Sequence, residues 1–349
     1  MTFSTLLFGA AIAALAIGGS SITEADAAVV AFTEGQDHGW QEWNFTAITH
    51  LGFWTAPSAE VQQKARANGV KLFQDSHLLD PKDWTNSDKR AEWVQGAVQR
   101  VTSQKLDGIF FDEEANGLSA DQKKAYTKLA KETTEALAPY NATIFICVGG
   151  RPSYEWRNYD YSGLAEHSEF LFIMGYDMHF WDDYTCVTKG TCSPAEASIK
   201  DLSAGVSGYA KEVDPSKLVL GLPWYGQVYE KVVIPFNMGQ IEYNDVLAIM
   251  DKHHKVKSKT LDESSQTWKL VCNGACRDDK KGGEIWFDDA QTLTKKYHLA
   301  RDAGLLGVGV WQISDAPYPD GGDDPHKAER AAMWQALGNW RLPGNGDEE

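Results

Sequence analysis

Leu106-Asp107-Gly108-Ile109-Phe110-Phe111-Asp112-Glu113-Glu114 is an apolar run that ends in three consecutive acids. In a β-strand successive side chains point to opposite faces. Phe110, Asp112 and Glu114 therefore share one face, and Asp107, Ile109, Phe111 and Glu113 share the other. Two carboxylates held side by side repel, so one of them titrates at raised pH. That is how a protein keeps a carboxylic acid protonated for general-acid work.

Working outward, seven further runs of this kind alternate with longer helical patterns: Val29 to Phe32, Ile48 to Phe53, Lys71 to Gln74, Thr143 to Val148, Phe170 to Tyr176, Leu218 to Pro223 and Gly307 to Trp311. Strand–helix alternation marks parallel βα units, and eight strands close a barrel. The fold class is therefore α/β, a (β/α)8 TIM barrel, whose C-terminal strand ends would bring Asp112 and Glu114 into the mouth. Residues 87 to 105 space Ala91, Val94, Ala97, Val98 and Val101 as one helical face, and Ser119 with Gln122 forms a capping box opening a helix to residue 138. Ser193-Pro194-Ala195-Glu196 predicts another helix start, and Gly304 ends a helix from Ala290 to Ala303. Residues 228–285 are too long for a βα loop and read as a small α+β insertion after the seventh strand, with one helix near Tyr243 to Asp251. The barrel with its insertion spans 28–341, and 342–349 form a flexible acidic tail.

The apolar run from Leu6 to Gly19, followed by Ala25-Asp26-Ala27, predicts a secretory signal cleaved after Ala27, and no other segment approaches membrane-spanning length. Two close cysteine pairs suit an oxidising compartment: Cys186 with Cys192, and Cys272 with Cys276. Cys147 lies in an apolar run as a buried thiol. A zinc site on Cys272 and Cys276 is the rival reading, although no second Cys/His pair completes four ligands. Asn44 and Asn141 head glycosylation sequons. With 33 Lys+Arg against 49 Asp+Glu, the 349-residue chain carries a formal net charge of -16, which argues against nucleic acid or an anionic membrane as partner. The 13 Trp exceed what a core of this size usually needs, and sugar rings stack on such faces.

The acidic strand resembles the DGxDxDxE strand of glycoside hydrolase family 18, the chitinase family. Phe172-Ile173-Met174-Gly175-Tyr176-Asp177 is similar to its MxYD strand, Gly221-Leu222-Pro223-Trp224-Tyr225-Gly226 to its P-x-Y-G strand, and Gly307-Val308-Gly309-Val310-Trp311 to its last strand. The resemblance covers nearly all of residues 29 to 338. It implies a glycosidase that cleaves GlcNAc-β1,4-GlcNAc bonds in chitooligosaccharides or N-glycan cores, with no cofactor and no metal. Substrate-assisted retaining catalysis, an exception to the two-carboxylate scheme, is implied with it. By the same resemblance Glu114 is the proton donor, Asp112 orients the 2-acetamido group, and Tyr176 donates its hydroxyl to the acetamide oxygen. Asp177, Met174, Trp224 and Tyr225 line the sugar site, and Trp311 lies under the -1 ring. The partner is then an N-acetylglucosamine-containing oligosaccharide, met by a monomer outside the cell or in a lysosome-like organelle.

Three positions depart from the family pattern. Phe110 replaces an inward Asp, so Asp112 loses an acidic neighbour while gaining an apolar one, and these push its pKa in opposite directions. Phe73-Gln74-Asp75 stands where the family has Ser-x-Gly-Gly, and Gln227 stands where chitinases often have Arg. Other readings are an endochitinase or an endo-β-N-acetylglucosaminidase, a non-hydrolysing lectin, and a divalent-metal cluster of Asp112, Glu113 and Glu114 completed by Asp75 and Asp177. His179 reads as a polar loop residue.

Overall fold

The computed structural model describes residues 27–35, 37–152, 157–178, 195–230, 236–277, 282–316 and 324–342. The predicted signal, His179, the Cys186/Cys192 pair, Ser193-Pro194 and the tail from residue 343 lie outside these. No described helix is long and apolar enough to cross a membrane.

In chain order the elements are β1 (Ala28–Thr33), β2 (His50–Phe53), α1 (Ala59–Ala67), β3 (Lys71–Asp75), α2 (Ser87–Gln104), β4 (Gly108–Phe111), α3 (Ala120–Leu137), β5 (Thr143–Val148), α4 (Tyr161–Glu166), β6 (Leu171–Met174), α5 (Ile199–Tyr209) and β7 (Leu218–Pro223). The insertion follows as β8 (Tyr225–Glu230), β9 (Phe236–Glu242), α6 (Tyr243–Asp251), β10 (Val256–Asp262), β11 (Thr267–Cys272) and β12 (Gly282–Phe287). After it come α7 (Ala290–Asp302), β13 (Gly307–Trp311) and α8 (Lys327–Gly338). Eight parallel strands close a barrel in the order β1-β13-β7-β6-β5-β4-β3-β2. The inserted sheet is antiparallel, ordered β10-β11-β12-β8-β9. It begins at Tyr225 and ends at Phe287, slightly wider than 228–285, because β8 leaves directly after Pro223 and β12 runs into the cap of α7.

Strand alternation sorts the core into two. Val30, Phe32, Phe73, Phe110, Phe145, Phe172 and Val219 fill the barrel interior, while Ile109, Phe111, Ile144, Leu220 and Leu222 face the helices. The phenylalanines fit because glycines stand opposite them. A Cβ at Gly221 would lie 2.1 Å from the Phe172 ring, and one at Gly108 would lie 2.4 Å from Phe73. Only glycine lets a ring approach the backbone so closely.

Local signals set the helix ends. The Ser119 hydroxyl accepts from the Gln122 amide while the Gln122 side chain accepts from the Ser119 amide, so the predicted capping box closes on α3. Residues 195–198 contradict the predicted helix start at Ser193-Pro194. They form a turn, and α5 opens at Ser198, whose hydroxyl caps the Asp201 amide. Glu196 is consequently not a first-turn acid; it is buried. Insertion and barrel are fastened by Lys296 of α7, fully buried, which donates to both oxygens of buried Asp288 at 2.6 Å and to Thr267 Oγ1 of β11 at 2.9 Å. Cys272 and Cys276 are disulfide-bonded, which removes the zinc reading, and Cys147 is a buried free thiol. Asn141 is exposed at a turn with φ 54°, while the Asn44 side chain accepts from Thr46 of its own sequon.

Candidate active site

The barrel mouth is built on the end of β4. Phe110 points inward and is fully buried, stacked on Phe145 with ring centroids 5.3 Å apart and 4.7 Å from Trp54. Asp112 continues the same face just above it. Its Oδ1 is buried with no hydrogen-bond donor among the described residues. Burial is the main cause that pushes the Asp112 carboxyl up to about 7, with the charges of Glu114 and Asp75 adding and Arg157 opposing. The acidic neighbour has moved rather than vanished, since Asp75 on β3 is the register partner of Phe110. Asp75 is itself buried, with its Oδ2 2.6 Å from His77 Nδ1.

Glu114 lies on the exposed rim and accepts from Arg157 Nη2 at 3.1 Å. Arg157 is buried and comes from the loop after β5, a residue the sequence did not single out. Its signal was its place in a βα loop at the C-terminal face of the barrel. Glu113 turns away and accepts from the Ala115 amide at 2.7 Å. The Tyr159 hydroxyl lies within hydrogen-bond distance of the Glu113 and Ala115 carbonyls, at 2.9 and 2.8 Å, and so fixes the segment.

The opposite wall rises from β6, β7 and β13. Met174 is buried in the interior cluster. Tyr176 lies nearly parallel to Trp311, centroids 6.2 Å apart and planes 22° apart, and burial holds its hydroxyl well above the usual tyrosine range. Asp177, at φ 50°, accepts from the Tyr225 hydroxyl at 2.6 Å and from Gln227 Nε2 at 3.5 Å. Beside Tyr225 a polar cleft of about 330 Å³ is lined by Glu34, Glu242, Arg277, Gln312 and Asp315. Burial pushes Asp315 up to about 7.

Trp224 is a correction. Only 1% exposed, it belongs to the helix-facing core and meets Trp334 edge-on at 5.1 Å. The alternation explains it: Leu220 and Leu222 face outward, and Trp224 continues their parity while Tyr225 turns inward. The aromatic that does join Trp311 is Trp54, directly after β2, at 4.9 Å and 83°. Asp112, Glu114, Tyr176, Asp177, Tyr225 and Trp311 all stand at strand ends around one mouth; Trp224 stands beside Tyr225 but turns its indole into the helix-facing core.

The arrangement offers a carboxyl that holds its proton to about neutrality, a second carboxyl two residues on, and flat aromatic faces. The chain is 28% identical over 343 residues to "Probable di-N-acetylchitobiase 2" of Dictyostelium discoideum, covering 88% of this chain and 83% of that one. It is 25% identical over 342 residues to "Di-N-acetylchitobiase" of Rattus norvegicus, covering 89% and 88%. In three dimensions a class V chitinase from Pseudomonas fluorescens Pf-5 superposes with a TM-score of 0.70 at 19% identity, over 91% of this chain and all of the other, which establishes the barrel fold. The profile of "Glycosyl hydrolases family 18" matches residues 81–316, the stretch that holds β4, β6, β7 and β13, and the chain is a glycosidase belonging to that family.

Proposed function

We propose that the protein cleaves the β1,4 bond between two N-acetylglucosamine units in short chitin-type oligosaccharides or the chitobiose core of N-glycans, with retention at the anomeric carbon. The observation that carries this reading is the unequal carboxyl pair on one strand end, Asp112 half-buried with its Oδ1 enclosed and titrating near 7, Glu114 exposed on the rim. The acetamido oxygen of the substrate attacks C1, the C1–O bond to the leaving sugar breaks, and Glu114 gives its proton to the departing oxygen. Water then attacks C1 of the oxazolinium ion, the C1–O bond to the acetamido oxygen breaks, and the water gives its proton to Glu114. Asp112 faces the acetamido nitrogen and stabilises the cation, and the Tyr176 hydroxyl donates to the acetamide oxygen. Met174, Asp177 and Tyr225 line the ring and Trp311 supports its apolar face, with Trp54 beside it.

Arg157 adds a constraint. It holds Glu114 Oε2 in the free enzyme, which leaves Oε1 as the oxygen that carries the proton. A proton resting on Asp112 is available to it when the acetamido group arrives. The names of the di-N-acetylchitobiase relatives support the short substrate. Passage through the secretory pathway fits the apolar N-terminal run and the disulfide.

Incubation with chitotriose tests the reading. The wild type releases short products whose first-formed anomer is β, and Glu114→Gln slows release by about 10²–10⁴-fold. Equal traces of sugar from both proteins would end the enzymatic reading. Tight chitooligosaccharide binding without release would point to a lectin, and products cut only from internal bonds to an endo-acting enzyme.

A further inference from the structure

Asp75 closes β3 at the barrel mouth and takes no part in the steps proposed above. Its Cα is the register partner of Phe110, and the ladder continues one residue further, with the Ser76 amide donating to the Phe110 carbonyl at 2.9 Å. Asp112 follows Phe110 two residues on along the same face. Adjacent strands lie about 4.8 Å apart and two residues of strand span about 6.6 Å, so the two acids stand on neighbouring strand ends about 8 Å apart at Cα.

The segment after β3 is held by α2. Arg100 Nη1 donates to the carbonyls of Asp75 and Ser76 at 3.2 and 2.7 Å, and the Trp93 indole donates to that of His77 at 3.1 Å. His77 lies at φ 47°, a left-handed conformation that a non-glycine residue adopts at a cost. This turn brings its amide and its Nδ1 onto one oxygen, Asp75 Oδ2, at 2.9 and 2.6 Å. Two donors on one oxygen fix the rotation of the carboxyl. The Asp75 side chain is 12% exposed and that of His77 62%, so the imidazole stands between the carboxyl and solvent. Arg100 and Trp93 grip main-chain atoms and would hold the segment whatever side chain stood at position 77. The imidazole grips the acid.

We propose that His77 is a positioning residue that clamps Asp75, and that the clamped carboxylate sets a fixed negative charge beside Asp112 at the reacting end of β4. That charge favours the proton on Asp112, as a like charge must. The other charged groups facing the two acids are Glu113 and Glu114 from the β4 end, Arg157 from the loop after β5, and Arg100 from α2. The neighbouring end of β2 carries the uncharged Trp54, and burial keeps Cys147 of β5 and Tyr176 neutral.

The part played in sugar cleavage rests on the proposed function, but the effect on the Asp112 proton does not. Infrared titration of the carboxyl C=O band that Asp112→Asn removes follows that proton without substrate. Asp75→Asn should lower the midpoint of this band, about 7 in the wild type, by about half a unit to one unit. His77→Gly, which suits the left-handed backbone, should lower it in the same direction. His77→Asn tolerates that backbone and places an amide donor where Nδ1 stands, so it should return the midpoint to within about 0.2 unit. In the Asp75→Asn background His77→Gly should add nothing. A midpoint unmoved by Asp75→Asn, one that stays or rises in His77→Gly, or equal His77→Gly shifts with and without the acid would each overturn the proposal. On chitotriose the pH–rate profile should move with the band. If the wild type releases no sugar, the proposed function fails and the infrared comparison still decides this one.

Discussion

Asp112 destabilises the protein it serves. Its carboxyl titrates near 7 in the fold against 3.8 for a free side chain, so the folded state holds a proton that the unfolded chain has released. Stability from this group is fully present below about pH 4 and is lost as pH rises through 7. Asp112→Asn should therefore be inactive yet more stable, with a Tm gain over wild type that is small at pH 4 and grows to the equivalent of a few kcal/mol at pH 8. Thermal melts of both proteins across that range check it, and a gain independent of pH would refute the buried-charge account. At this scale the sequence was legible where residues sit in regular strands. Asp112 and Glu114 could be placed by counting parity, and the family resemblance supplied Tyr176 and Trp311. Arg157 and His77 could not, because they come from irregular loops whose side-chain directions no periodicity sets. Trp224 was misplaced because the resemblance, not strand parity, put it in the site; continuing the parity of Leu220 and Leu222 turns the indole outward.

Among elements, the pairing of large and absent side chains is the device that fills the barrel. Gly221 of β7 faces Phe172 of β6 so closely that an added methyl group must displace the ring. Gly221→Ala should cost about 1–3 kcal/mol in urea unfolding. Phe172→Leu in the same chain should recover part of that, a coupling of at least ~0.5 kcal/mol. Additive costs would mean that the two do not share the space. The eight strands and α3 were readable because apolar runs and a capping box are local signals. The start of α5 was not, although Ser198 with Asp201 carries a cap pattern of its own. Two competing cap signals lie five residues apart, and sequence spacing does not rank them.

On the scale of the whole molecule, one buried ion pair joins barrel to insertion. Lys296 and Asp288 have side chains 0% and 3% exposed, so removing the cation leaves a desolvated carboxylate. Lys296→Met should lower stability by about 3–5 kcal/mol, and adding Asp288→Leu should restore much of it. Chemical denaturation of the single and double variants tests this, and a single variant as stable as wild type would show that Asp288 finds another partner. The inserted sheet stands beside the site cleft at Tyr225. The tryptophan surplus has a plainer use than sugar contact: Trp43, Trp84, Trp224, Trp286, Trp334 and Trp340 are all buried.

Phe110 constrains how this barrel can change over generations. An aspartate there would remove a ring packed on Phe145, Phe32 and Trp54 and set a third carboxylate beside Asp112 and Asp75. Void and repulsion arrive in the same codon change, and neither has a neutral intermediate unless Asp75 or the facing rings change first. An acid at this position is therefore tolerated only together with a change at Asp75 or in the facing rings.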